Sequence, residues 1–232
     1  MNKKKQLILL HFAGGSSYSY QFMKPYLDGF NCISLELPGR GRRMENKLLI
    51  DFDAAVFDLY QQILLNLKTS PFVVYGHSMG AYLAFRLTYL LEKNGTPPTY
   101  LFVTGSAGPK VKFEKKRYLL DDKNLLNEIK AMGGLPEEIL KNKDFTDYYL
   151  PIIRADFELI EKSNLINESP VNVPIFAIMG NEEERYRKIS EWQIYTTAQF
   201  NYEILEGNHF FIYRHAQYIA SKIKYIYEKN IT

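Results

Sequence analysis

The pentapeptide Gly76-His77-Ser78-Met79-Gly80 sits in "VVYGHSMGAYLAF", between an apolar run that reads as the end of a strand and one with helical spacing. A serine hydroxyl is a weak nucleophile at neutral pH. It becomes useful when an adjacent base takes its proton and fixed donors stabilise the oxyanion that forms. A G-x-S-x-G turn supplies the placement: its glycines let strand and helix approach closely, and the serine is held in a tight turn above the sheet. The following helix directs its amide-rich N-terminus at the same point, so the backbone N–H of Met79 is a candidate oxyanion donor. The competing account of Ser78 is an ordinary helix N-cap.

A second donor is expected from the loop after an early strand, and "HFAGGSS" is such a loop. Ala13 is the candidate, against a glycine turn with no role. A phosphate cradle is disfavoured, because the loop lacks both the Lys-Ser/Thr ending of a P-loop and a G-x-G-x-x-G pattern.

The base follows by elimination from four histidines. His77 adjoins the nucleophile and is expected to point elsewhere; His11 ends the first strand; His215 opens the last helix, on its surface. His209, in "LEGNHFF" directly after the last expected strand, is left as the base. The third member must accept the other imidazole N–H and is expected after the strand "VPIFAIMG". There the chain reads "NEEE". Glu183 stands three places after Gly180, while spacing alone leaves Glu182 and Glu184 open. The preceding "VTGSAGP" offers no carboxylate.

Elements able to hold these residues recur along the chain. Short β-rich runs lie at "QLILLHF", "CISLEL", "FVVYG", "TYLFVTG", "VPIFAIMG" and "YEILEG", mostly separated by segments long enough for a helix. The alternation predicts an α/β fold, a mainly parallel sheet with helices on both faces. Helices are expected near 20–27, 53–67, 78–93, 190–200 and 216–227. From about 109 to 169 the strands stop and helical patterns take over, in "LLDDKNLLNEIKAM", "PEEILKN" and "LPIIRADFELIEKSNLI". That stretch reads as a helical lid inserted into a single domain spanning 1–232.

Composition narrows the classes. With 46% hydrophobic and 24% charged residues, the 232-residue chain is ordinary for a globular domain. A net charge of +3, scattered except at "KKK", "GRGRR" and "KFEKKR", is too mild to argue for nucleic acid. Cys32 is the only cysteine, which excludes an internal disulfide and a cysteine-built zinc site. The start, "MNKKKQLILLHFAGG", imitates a secretory leader but has a short apolar run interrupted by His11 and no A-x-A-like cleavage site. No apolar stretch nears the roughly 20 residues that cross a bilayer. A cytoplasmic protein is expected, with neither membrane nor nucleic acid as partner.

Taken together, the blocks "FAGGSS", "ELPGRGRR", "GHSMGA", "GGLPEEIL", "LPIIRADFELIE", "PIFAIMG" and "GNHFF" resemble, in order and over nearly the whole chain, the external type II thioesterases. These enzymes accompany non-ribosomal peptide and polyketide synthases and belong to the α/β-hydrolase superfamily. "GHSMG" is shared with many hydrolases; "LPGRGRR", "GGLP" and "IRADF" are more specific.

The resemblance implies an α/β-hydrolase fold and hydrolysis of an acyl group from the phosphopantetheine thiol of an acyl or peptidyl carrier protein; no cofactor of the enzyme's own is expected, and a monomer is expected. It implies Ser78 as nucleophile, His209 as base, Ala13 and Met79 as the oxyanion hole, and Glu183 where the family usually has Asp. The longer side chain has to be absorbed by its loop. His11 stands where the family commonly has proline, a change expected to alter loop stiffness more than chemistry. Arg40, Arg42 and Arg43 either face a carrier protein's acidic surface or serve as structural cations. The alternatives are a small-molecule carboxylesterase or lipase, suggested by "GHSMG" alone, and a non-catalytic binding protein, suggested by the "NEEE" loop.

Overall fold

Strands buried on both faces read as continuous apolar runs rather than as alternation. That is the character of β1 (Lys5–Leu10), β3 (Phe72–His77), β4 (Tyr100–Thr104) and β5 (Ile175–Gly180), flanked by β2 (Phe30–Leu35) and β6 (Phe200–Leu205). In the computed structural model, which describes residues 5–67, 71–111, 113–134, 138 and 142–229, these six strands form one parallel sheet in the order β2-β1-β3-β4-β5-β6. The two-residue period sorts each strand between two cores. Ile8, Leu10, Val74, Leu101, Val103 and Ala177 face a core shared with α1 (Phe52–Asn66) and α2 (Met79–Lys93). Leu7, Leu9, Val73, Tyr75, Phe102 and Ile178 face a second core, closed by α5 (Ala216–Lys229) and by Tyr20, Met23 and Leu27. Cys32, in β2, is half-buried against this second core, and burial raises its thiol pKa.

The strand order reverses direction between β1 and β3. In open α/β sheets such a switch point opens a crevice outside the carboxyl ends of the strands. The loop after β1 and the turn after β3 border that crevice, and they carry Ala13 and Ser78.

Between β4 and β5 lie α3 (Asp122–Met132) and α4 (Lys143–Glu161), each started by a polar cap. Asp121 accepts from the Asn124 amide at 2.9 Å and Asn142 from the Phe145 amide at 3.1 Å. Their facing sides form a small third core of Leu125, Ile129, Leu150, Ile153 and Phe157. Most of the "PEEILKN" pattern lies outside the described residues.

Two expected helices differ from expectation. Residues 20–27 form turns with a short 3-10 segment at Lys24–Tyr26, where Pro25 has no amide to donate to the carbonyl four residues earlier. Residues 190–200 do not form an α-helix either. A 3-10 segment runs over Tyr186–Tyr195, and the strand β6 begins at Phe200. There the buried Ile189, Trp192 and Tyr195 recur every third residue, the period of a 3-10 helix rather than of an α-helix. No described helix is long and apolar enough to cross a membrane.

Candidate active site

The turn after β3 is set by backbone contact. A Cβ added at Gly76 would lie 2.1 Å from the carbonyl oxygen of Gly80, and one at Gly80 would lie 2.3 Å from that of Leu10. Only glycines permit the strand, the helix start and the end of β1 to close to this distance. Ser78 is thereby held at φ 55° and ψ −120°, the only non-glycine with positive φ among the described residues. Such a conformation costs of order 1–3 kcal/mol and persists where the surroundings over-determine it. The Ser78 amide is anchored to the Thr104 carbonyl at 2.8 Å. Ser78 occupies the N-cap position of α2, yet its hydroxyl does not cap the helix.

That hydroxyl instead meets His209, 131 residues away along the chain, with Oγ 2.9 Å from Nε2. The other ring nitrogen, Nδ1, lies 2.6 Å from Glu183 Oε2. A carboxylate only accepts, so the arrangement places the imidazole proton on Nδ1 and leaves Nε2 to accept from the serine. Glu183 is mostly buried, whereas Glu182 and Glu184 are exposed. Its extra methylene is taken up by folding back: Oε1 accepts from the Gly180 amide at 2.9 Å. The loop after β5 is tied to the His209 loop, since Asn181 Oδ1 accepts from the Gly207 amide at 2.9 Å and the Glu182 amide donates to the Gly207 carbonyl at 3.0 Å.

The other histidines have separate surroundings. His77 is fully buried, with Nδ1 2.9 Å from Thr104 Oγ1 and Nε2 without a hydrogen-bond partner. It makes no bond to Ser78, but its ring lies against that of His209, centroids 4.9 Å apart. Burial, and then the neighbouring His209, push its pKa well below the ordinary histidine value, so it backs His209 as a neutral ring. His215 bonds the Glu206 carbonyl at the surface. His11 is buried and does more than stiffen a loop. Its Nδ1 donates to the Phe12 carbonyl at 2.9 Å and its Nε2 accepts from the Leu37 amide at 3.3 Å, joining the ends of β1 and β2. Burial and the nearby Arg40 lower its pKa to about 4.

Ala13 follows in a turn closed by the Gly15 amide on the Phe12 carbonyl at 2.9 Å. Side chains distant in sequence hold this loop. Gly14 N–H donates to Asp156 Oδ2 of α4 at 2.8 Å, and Ser17 N–H to Glu36 Oε1 at 2.8 Å. Arg40 grips Asp156 bidentately, at 2.5 and 2.8 Å, and reaches the Gly15 carbonyl at 3.4 Å. Of the three arginines of the "GRGRR" run, Arg40 is therefore buried rather than facing a carrier protein, and Arg43 is paired with Asp58 at 2.6 and 2.7 Å. Only Arg42 is exposed, over the Tyr18 ring. Asp156 was detectable in principle: it falls on the apolar stripe of Ile152, Ile153, Phe157 and Ile160, where a carboxylate requires a partner.

Two cavities, of about 300 and 330 Å³, meet at Ser78, His209 and Ala13. Met79, Tyr82, Val111 and Phe113 line the first, with Lys115 and Arg185 among its charged residues. The second is aromatic, with Phe12, Phe145, Tyr149, Phe210 and Tyr213. Met132 and Phe157, from the two helices between β4 and β5, line both. A serine hydroxyl, an imidazole, a carboxylate and a helix N-terminus thus converge where two cavities meet, a geometry suited to acyl transfer.

The chain is similar to the gramicidin S biosynthesis protein GrsT of Aneurinibacillus migulanus, with 30% identity over 217 residues covering 90% of this chain and 84% of that protein. Among solved structures it is similar to ClbQ from the colibactin NRPS/PKS pathway, at TM-score 0.91 and 27% identity over 98% of each chain. It is also similar to the type II thioesterase BorB from the borrelidin biosynthetic cluster, at TM-score 0.88 and 27% identity over 97% of this chain and 94% of that one. The family model for the thioesterase domain matches residues 5–227, and the chain accordingly belongs to the thioesterase family.

Proposed function

We propose that this protein is a type II thioesterase that removes acyl groups from the phosphopantetheine thiol of acyl or peptidyl carrier proteins serving a non-ribosomal peptide or polyketide assembly line. The observation that carries the proposal is the continuous path from Glu183 through His209 to Ser78, at 2.6 and 2.9 Å, at the junction of two cavities. The names of the similar proteins supply the assembly-line setting. Two arms fit a substrate with an acyl chain on one side of the reacting carbonyl and a pantetheine chain on the other.

In this mechanism Ser78 Oγ attacks the thioester carbonyl as His209 Nε2 takes its proton. Glu183 holds the imidazole in the correct tautomer and stabilises the imidazolium. The backbone amides of Ala13 and Met79 receive the developing oxyanion. The C–S bond breaks, the thiol leaves with a proton from His209, and an acyl-serine remains. Water activated by the same imidazole then releases the acid and restores the hydroxyl. The chemistry draws on no cofactor beyond the partner's own phosphopantetheine. A single cysteine suits a cytoplasmic setting, and the enzyme acts as a monomer.

Intact-mass measurement of an acylated carrier protein is the direct test. The wild type should remove the acyl mass, and Ser78→Ala should slow removal about 10⁴-fold or more, as for other nucleophile deletions. An acyl mass untouched by wild type would overturn the assignment. Faster turnover of free oxoesters than of carrier thioesters would favour a small-molecule esterase. Glu183→Gln should lower kcat roughly 10²–10⁴-fold through the wrong tautomer, while Glu182→Gln stays within about twofold; equal activity in both would displace Glu183 from the role.

A further inference from the structure

We propose that Arg40 and Asp156 are positioning residues of the oxyanion hole, and that through them α4 belongs to the catalytic apparatus rather than to a removable cover. The inference rests on the reading above, in which the Ala13 amide is a donor to the oxyanion.

The orientation of that amide depends on its peptide plane. In a trans peptide the N–H of Ala13 points opposite to the C=O of Phe12. The Phe12 carbonyl is occupied by two donors, Gly15 N–H at 2.9 Å and His11 Nδ1 at 2.9 Å, so the plane cannot rotate unless the turn opens. The turn in turn is held from outside. Gly14 N–H is bound by Asp156 Oδ2 at 2.8 Å, and the Gly15 carbonyl accepts from Arg40 Nη1 at 3.4 Å. Asp156 and Arg40 are 0% and 2% exposed, so neither bond competes with bulk water. Ile153, one turn earlier on α4, packs on the face of Gly14.

Stability is a poor explanation for the pair. A fully buried ion pair can often be replaced by apolar residues of similar volume with no loss, and sometimes a gain, in stability. What an apolar pair cannot supply is a partner for the Gly14 amide and the Gly15 carbonyl. Those two atoms connect the pair to the turn around Ala13.

Two variants separate the roles. Asp156→Asn keeps the shape and weakens the grip. Arg40→Met combined with Asp156→Leu removes both charges together, leaving none orphaned. Each is assayed for kcat, KM, unfolding temperature and the affinity of a trifluoromethyl ketone, which forms a tetrahedral adduct on the serine. We expect kcat to fall about 10- to 100-fold with KM within about threefold in both variants, and the ketone to weaken by a similar factor. The double variant should stay folded, because the gain from removing a buried ion pair offsets the two backbone groups left without partners. A folded double variant with wild-type kcat and ketone affinity would overturn the proposal, as would an Asp156→Asn variant that loses folding stability but, while folded, turns over normally. The assays use an activated small-molecule thioester beside the acyl-carrier substrate. A wild type that cleaves only the small thioester would sink the carrier assignment, while the variant-to-wild-type ratio would still report on Arg40 and Asp156.

Discussion

Ser78 and Ala13 border one crevice, but the two turns that carry them are held by different physics. The turn after β3 is fixed sterically, by main chain packed on main chain with no room for a Cβ at Gly76 or Gly80. The loop after β1 is fixed electrostatically, by carboxylates of Glu36 and Asp156 that take its amides from outside. A steric fit resists pH and salt and is lost abruptly. A polar fit can be weakened by degrees.

Gly80→Ala should show the largest effect, because the atoms in the way are the Leu10 and His11 carbonyl oxygens at 2.3 and 2.7 Å, which cannot yield separately from β1. A loss of more than about 3 kcal/mol in urea unfolding is expected, at the upper end for overpacking, and an active, equally stable variant would break the steric half of the comparison.

Acid comes next. His11 has a folded pKa of about 4 against an ordinary 6.5, so between these values the unfolded chain binds a proton that the folded chain refuses. Stability should therefore be full above about pH 6.5, decline towards pH 4 by roughly 2–3 kcal/mol on this account, and level off below. His77, also depressed, adds a share of the same sign from the elbow. Replacing His11 by Gln should flatten the profile in part, leaving the share of His77; urea midpoints at pH 7, 5 and 4 that fall as steeply as in wild type would argue against a role for His11.

The smallest effect is expected for Gly14→Ala. Here the obstacle is a side chain rather than main chain, Ile153 Cγ1 at 2.6 Å, and the alanine is strained at φ +75°. About 1–2 kcal/mol is anticipated. A cost as large as that of Gly80→Ala would erase the distinction between the two turns.

How much of this could be read from the chain follows the same division. The turn around Ser78 is local, so five residues between two periodic runs were enough to place it, and strands buried on both faces announced a parallel sheet. His209 was reachable because only four histidines compete. The choice among three adjacent glutamates was not fixed by spacing; it depends on Glu183 folding back on the Gly180 amide, which no periodicity encodes. Arg40 and Asp156 lie 116 residues apart, and the arginine run pointed as readily to a partner protein as to an internal carboxylate. The segment around Trp192 looked helical because apolar residues at three-residue spacing satisfy either helix type over a short window.

The half-buried thiol of Cys32 has a practical consequence. Each turnover of the proposed reaction liberates one pantetheine thiol, and the protein's own sulfhydryl, solitary and kept protonated by its surroundings, is a slow competitor for thiol reagents and for mixed-disulfide exchange. A chromogenic disulfide added to the reaction would count product against a nearly silent enzyme, and oxidation of the released arm would not readily trap the catalyst.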